Sequence, residues 1–111
     1  MHERLTVTAG VVAFAIIACA PAVPAVPASR HLQVDLRNLA MQPSVVPVAP
    51  GDTVTWTNRD IVPHTVTVDG DSWDSGMIAG GGTWSHVVTA ADTAGYVCRF
   101  HAGMSARFAR R

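Results

Sequence analysis

An all-β fold, specifically an antiparallel Greek-key β-sandwich, is predicted by three observations. Beyond residue 30 the chain falls into short runs in which apolar and polar residues alternate, the period of strands buried on one face. Gly, Pro and Asp punctuate those runs. No stretch of useful length carries the 3.6-residue period of a helix, and there is no internal repeat. The 111 residues have room for one such domain.

Taken in order, residues 31–39 set Leu32, Val34 and Leu36 against Gln33, Asp35 and Arg37, which reads as a half-buried strand. Residues 44–48 fit an edge strand, because Pro43 and Pro47 lack the amide hydrogen that an edge can spare. Pro50-Gly51-Asp52 makes a turn. Thr53-Val54-Thr55-Trp56-Thr57 then alternates so regularly that Val54 and Trp56 must face the core together, and Asn58-Arg59-Asp60 ends that strand. A strand through His64, Val66 and Val68 leads to a turn at Asp69-Gly70-Asp71. A loop through Gly80-Gly81-Gly82 precedes strands over residues 84–89 and 94–98.

Residues 1–28 read as a secretory signal rather than as part of the fold. Arg4 precedes an apolar run over residues 5–20, too short for a membrane span, and a small-residue segment follows. Cleavage after Val26-Pro27-Ala28 leaves residues 29–111 as the mature domain, periplasmic or secreted and without a membrane span. The alternative is a lipoprotein, since Ile16-Ile17-Ala18-Cys19 resembles a lipobox with Cys19 as the lipidated residue and residues 21–28 as a tether.

Acidic and basic residues balance at 8 each, and every basic residue is arginine. Bulk charge therefore predicts neither nucleic-acid nor anionic-membrane binding. A monomer is expected. The chemistry lies in Cys98-x2-His101-x2-Met104 and in His64, upstream in Pro63-His64-Thr65. A soft thiolate, two imidazoles and a thioether match the His2Cys trigonal set with a weak axial methionine that suits one copper ion. Cys98 is the one thiol of the mature domain, so no disulfide can occupy it; a metal would protect it.

Strand parity supports that grouping. His64 shares parity with Val66 and Val68, and Cys98 with Tyr96, so both begin on the buried face. His101 and Met104 follow in one loop that Gly103 allows to curl. Structural zinc would require methionine in a position it rarely takes. His86 reads as a non-ligand, Trp56 and Trp84 as core or sandwich edge, and Asp69, Asp71 and Asp74 as turn residues rather than a calcium loop. If Ser29 becomes the amino terminus, Ser29-Arg30-His31 offers a square-planar nitrogen set for a second Cu(II).

At these residues the chain resembles the cupredoxins, small blue copper proteins of the amicyanin, plastocyanin and pseudoazurin type. The likeness rests on residues 51–58, Pro63-His64-Thr65, Asp74-Ser75-Gly76 and Tyr96-Val97-Cys98-Arg99-Phe100-His101-Ala102-Gly103-Met104. It implies a type 1 copper site with His64, Cys98 and His101 equatorial and Met104 axial. His101 would be the electron port, collared by Met41, Pro63, Met77, Phe100 and Ala102, where redox protein partners dock. It also implies Pro63 and Thr65 as supports of His64.

Three departures from the family pattern carry expectations. Asp92-Thr93-Ala94 lacks a turn glycine and a core aromatic, so a weaker core is expected. The segment after Met104 offers mainly Ala106 and Phe108, so a short closing strand is expected. Ala102 stands where amicyanin has proline, so a looser ligand loop is expected. The function implied is single-electron transfer between extracytoplasmic partners. The alternative is a copper carrier or storage protein, and no triad, acid–base pair or second copper set argues for an enzyme.

Overall fold

The computed structural model describes residues 2–16, 28–70, 72–92 and 94–111. Cys19, most of the proposed cleavage segment, Asp71 and Thr93 lie outside the described residues. Among the described residues no helix is long and apolar enough to cross a membrane.

Among the described residues, eight strands form two four-stranded sheets. β1 (His31–Arg37), β2 (Ala40–Gln42), β4 (Thr53–Asn58) and β6 (Thr83–Val87) make the first, in the order β2-β1-β4-β6. β3 (Val45–Val48), β8 (Ser105–Arg110), β7 (Gly95–Val97) and β5 (Thr67–Val68) make the second, in the order β3-β8-β7-β5. The sandwich is the expected one, but its sheets are mixed. β1 pairs parallel with β4 and β3 parallel with β8, because the chain leaves the first sheet after β2 and returns to it at β4. Alternation reports which face a side chain takes and says nothing of strand direction.

The inward faces behave as their periods require. Val34 and Leu36 from β1, and Val54 and Trp56 from β4, are completely buried. From the other sheet come Val46, Val48, Tyr96, Ala106 and Phe108. Trp56 is the hub: its ring centroid lies 5.4 Å from Tyr96 in an edge-on contact and 6.2 Å from Phe108. β3 is an edge strand, as its prolines suggested.

Two expectations are corrected here. β1 stops at Arg37, because Asn38 and Leu39 take positive φ of 54° and 58° and reverse the chain into β2, an unforeseen strand. The closing strand is not short: β8 runs six residues at the centre of its sheet, flanked by β3 and β7. Arg107 points outward and Arg110 is exposed at the strand end while the backbone completes both ladders, so counting apolar residues understated its length. The core beside β7 also draws an aromatic from outside the strands. Trp73 stacks on Phe108 at 5.9 Å and on Trp84 at 5.7 Å and meets Tyr96 in a tilted contact at 5.7 Å, supplying an aromatic from another segment. Asp92 anchors it, accepting from Trp73 Nε1 at 3.1 Å, His86 Nε2 at 2.8 Å and the Thr89 amide at 2.7 Å.

Candidate metal centre

His64 sits where the chain leaves β4 and crosses toward β5. A two-way backbone bridge with Ile78, at 3.1 and 2.7 Å, fixes its position. Buried Asn58 supports that bridge by donating from Nδ2 to Val62 O at 2.8 Å and Ile78 O at 2.9 Å. Its Oδ1 accepts the Asp60 amide at 2.9 Å, so the whole approach to His64 is pinned to the end of β4.

Cys98 follows β7 directly. The Cys98 amide donates to Met104 O at 2.9 Å and the Met104 amide to His101 O at 3.3 Å, which closes the ligand loop. Gly103 makes the reversal with φ of 81°, a conformation glycine takes without a side-chain clash. His64, Cys98 and Met104 are buried and His101 is half-buried.

Three donor atoms converge. His64 Nδ1 lies 3.3 Å from His101 Nδ1 and 3.8 Å from Cys98 Sγ, and Cys98 Sγ lies 3.6 Å from His101 Nδ1. The centre of that triangle is about 2 Å from each corner, the length of a metal bond to imidazole or thiolate. The donor set therefore fits a metal ion that accepts one thiolate and two imidazoles, and Met104 is buried in the same loop as Cys98 and His101.

The surroundings tie these donors to the fold. The Thr65 amide donates to Cys98 Sγ at 3.4 Å, while Thr65 Oγ1 accepts the Arg99 amide at 2.9 Å. Thr65 thus serves the thiolate and its loop, rather than His64 as expected. Thr67 bonds Asp74 at 2.9 Å, and Asp74 accepts the Gly76 amide at 2.9 Å and faces Arg99 at 3.4 Å. The Gly76 amide is the main reason Asp74 lies below the usual carboxylate range; burial opposes it, and Thr67 and Arg99 reinforce it.

The imidazole of His64 is held by a residue that sequence reasoning missed. Asp60 Oδ2 accepts from His64 Nε2 at 2.7 Å and from the Leu39 amide at 3.1 Å, while Oδ1 accepts the Asn38 amide at 2.8 Å. The Leu39 bond, opposed by burial and aided by His64 and Asn38, holds the Asp60 carboxyl below its ordinary range. An acidic residue four positions before a candidate ligand is the available signal, although in sequence Asp60 reads only as a strand end.

Pro63, Met77, Phe100 and Ala102 are exposed, as a collar for His101 requires. Met41 is a correction: it is buried in the core. Exposed Leu39, Ile61 and Val62 were not foreseen and add apolar surface to the segments beside Asp60 and His64. At Ser29-Arg30-His31 the Arg30 amide donates to Asp52 Oδ1 at 2.9 Å and His31 Nε2 lies 3.0 Å from Thr55 Oγ1, so a square-planar nitrogen set there has to displace the Arg30 bond. His86 is engaged by Asp92 and stacks on Trp73 at 4.5 Å, as befits a non-ligand.

A β-sandwich with one thiol and two imidazoles gathered beside a methionine loop defines a small blue copper protein, a cupredoxin. Comparison with known proteins agrees. Residues 28–108 match the family described as copper binding proteins, plastocyanin/azurin family, and the chain belongs to that family. It is 34% identical over 83 residues to plastocyanin of Scenedesmus fuscus, covering 65% of this chain and 85% of the relative. It is 30% identical over 112 residues to chloroplastic plastocyanin of Tetradesmus obliquus, covering 91% and 75% of the two chains. Among solved structures, a Cu(I) amicyanin variant superposes with a TM-score of 0.66 at 25% identity, covering 73% of this chain and 82% of that one. A purple cupredoxin from Nitrosopumilus maritimus shares the fold, with a TM-score of 0.64 at 24% identity over 72% of this chain and 99% of that one. The cofactor is copper, and the function class is copper-dependent electron transfer.

Proposed function

We propose that His64 Nδ1, Cys98 Sγ and His101 Nδ1 hold one copper ion, with Met104 as axial ligand, and that the protein shuttles single electrons between soluble or membrane-bound redox proteins. The observation that carries this reading is the 3.3–3.8 Å triangle of donor atoms on three residues of two separate segments, fixed by backbone bonds. Copper supplies the Cu(I)/Cu(II) couple. The residues do the rest. His64 and Cys98 are locked by the Ile78 bridge and by Thr65, so the donor positions change little with oxidation state, which keeps reorganisation small. Cys98 must give up its proton to bind, so loading releases a proton. Half-buried His101, beside exposed Phe100 and Ala102, offers partners a route to the site.

Residues 1–28 serve as an export signal in this reading, and residues 29–111 act in the periplasm or outside the cell. No catalytic machinery is assigned. The test is voltammetry of the copper-loaded protein alongside challenge with a Cu(I)-selective chelator. A reversible one-electron wave with slow copper loss supports the shuttle. A poorly reversible wave with rapid copper transfer to the chelator would overturn it in favour of a copper carrier.

A further inference from the structure

We propose that Trp73 is a redox-active residue, the outer end of a relay of touching rings, where a one-electron oxidant is quenched as the indole proton passes to Asp92. The quenching step concerns this chain's own side chains alone; the refilling step rests on the copper reading above. Trp73 and Trp84 are partly exposed beside β6, an edge strand of its sheet, and stack 5.7 Å apart. From Trp73 the contacts run inward, 5.8 Å to Trp56 and 5.7 Å to Tyr96, and Trp56 meets Tyr96 edge-on at 5.4 Å. Tyr96 lies in β7, which leads directly into Cys98. Ring contacts therefore join a solvent-accessible indole to the strand that carries the thiol.

Hydrogen bonding decides where on this relay an oxidising hole settles. An indole that has lost an electron is a strong acid at Nε1, so the hole is held where a base can take that proton. Trp73 Nε1 donates to Asp92 Oδ1 at 3.1 Å. The Thr89 amide and His86 Nε2 bind Asp92 Oδ2 at 2.7 and 2.8 Å and fix the carboxylate in place. Burial opposes them, yet the bonds from Thr89, His86 and Trp73 hold the Asp92 carboxyl below its ordinary range, so it is ionised at neutral pH. Among the described residues Trp56 Nε1 and Tyr96 Oη, by contrast, are buried without a hydrogen-bond partner. Neither can shed a proton, so these rings pass an electron without keeping the hole.

Electrons and protons balance. An oxygen-centred radical takes one electron from Trp73 and becomes an anion, while the Nε1 proton moves to Asp92 and leaves a neutral indole radical. An electron drawn through Trp56 and Tyr96 from the Cys98 end, where bound Cu(I) supplies it and becomes Cu(II), restores the indole as the proton returns from Asp92.

The experiment oxidises wild type, Trp73→Phe and Asp92→Asn with flash-generated tris(bipyridine)ruthenium(III), metal-free and then Cu(I)-loaded, and follows transient absorption and freeze-trapped paramagnetic resonance. Metal-free wild type is expected to form a neutral tryptophan radical at neutral pH. Trp73→Phe is expected to lose it, and Asp92→Asn to show the protonated cation radical in its place. Cu(I) is expected to shorten the radical's life, with the blue band rising as the radical decays, and Trp56→Phe to slow that return. An undiminished neutral radical in Trp73→Phe would overturn the proposal, as would an unchanged neutral radical in Asp92→Asn or a lifetime that Cu(I) does not alter. Should Asp92→Asn or Trp56→Phe fail to fold, the Trp73→Phe comparison and the Cu(I) effect still decide. A protein that takes up no copper would instead overturn the copper reading, a separate outcome, because the metal-free radical forms without it.

Discussion

Replacing Asn58 by aspartate is nearly isosteric and inverts one group. Asn58 is fully buried and directs its amide at two carbonyl oxygens, Val62 O and Ile78 O, within 2.9 Å. Asn58→Asp sets a carboxylate oxygen against those carbonyls, with no cation among the bonds that Asn58 makes. An uncompensated buried charge costs about 3–5 kcal/mol. In a domain of this size each kcal/mol moves the midpoint about 4–8 °C, so a fall of at least about 12 °C is expected at pH 7. The sign with pH follows from the burial. The folded pKa of the new carboxyl lies above its unfolded value, so the penalty is absent below the unfolded pKa and grows as pH rises toward the folded one. Near pH 4 the protonated carboxyl donates to one carbonyl, and the difference from wild type shrinks to about 1–2 kcal/mol. Thermal unfolding of both proteins at pH 4 and 7 checks this. Equal differences at the two pH values, or a loss below about 1 kcal/mol at pH 7, would refute the reasoning.

Wild type itself is expected to lose stability in acid. Bonds from Arg111 hold the Asp52 carboxyl down at about 2, against burial and with help from the Ala49 and Arg30 amides. Its contribution is present above the ordinary value of 3.8 and is lost as pH falls toward 2; in unfolding curves over that window Asp52→Asn should be less stable at neutral pH and show a shallower acid slope. Trp73→Ala should cost about 3 kcal/mol in denaturant unfolding, the low end for a large aromatic because Trp73 is partly exposed. A loss under about 1 kcal/mol would show that it does not replace the missing core aromatic. Phe100→Asp should leave the visible spectrum unchanged and slow electron self-exchange measured by NMR, if the apolar rim is the contact face; an unchanged rate would remove Phe100 from it.

What the sequence made legible was mostly local. Cys98, His101 and Met104 share one loop, so their spacing alone predicts a cluster; His64 is buried as expected, but so are Thr65 and Thr67 of the opposite parity, because His64 lies outside β5 in an isolated bridge to Ile78. Val54 and Trp56 were placed in the core by alternation alone. What stayed hidden depends on residues distant in sequence. The parallel β1–β4 and β3–β8 pairings leave no local trace, because a strand's period is the same in either direction. Trp73 belongs to a connection with no periodicity, yet it packs against Tyr96 and Phe108. Asp60 acquires its meaning only when the β1–β2 turn folds back to present two amides to it. Met41, expected at the rim, belongs to β2, whose pairing with β1 sets it inward.

The central claim is that Cys98 and His64, His101 and Met104 form one type 1 copper site. It is tested most directly by visible absorption and paramagnetic resonance of the mature domain after one equivalent of Cu(II), with Cys98→Ser in parallel. The account predicts an intense thiolate-to-copper band and narrow hyperfine splitting, both lost in the variant. A pale spectrum with the wide splitting of square-planar nitrogen ligation, unchanged by Cys98→Ser, would contradict it.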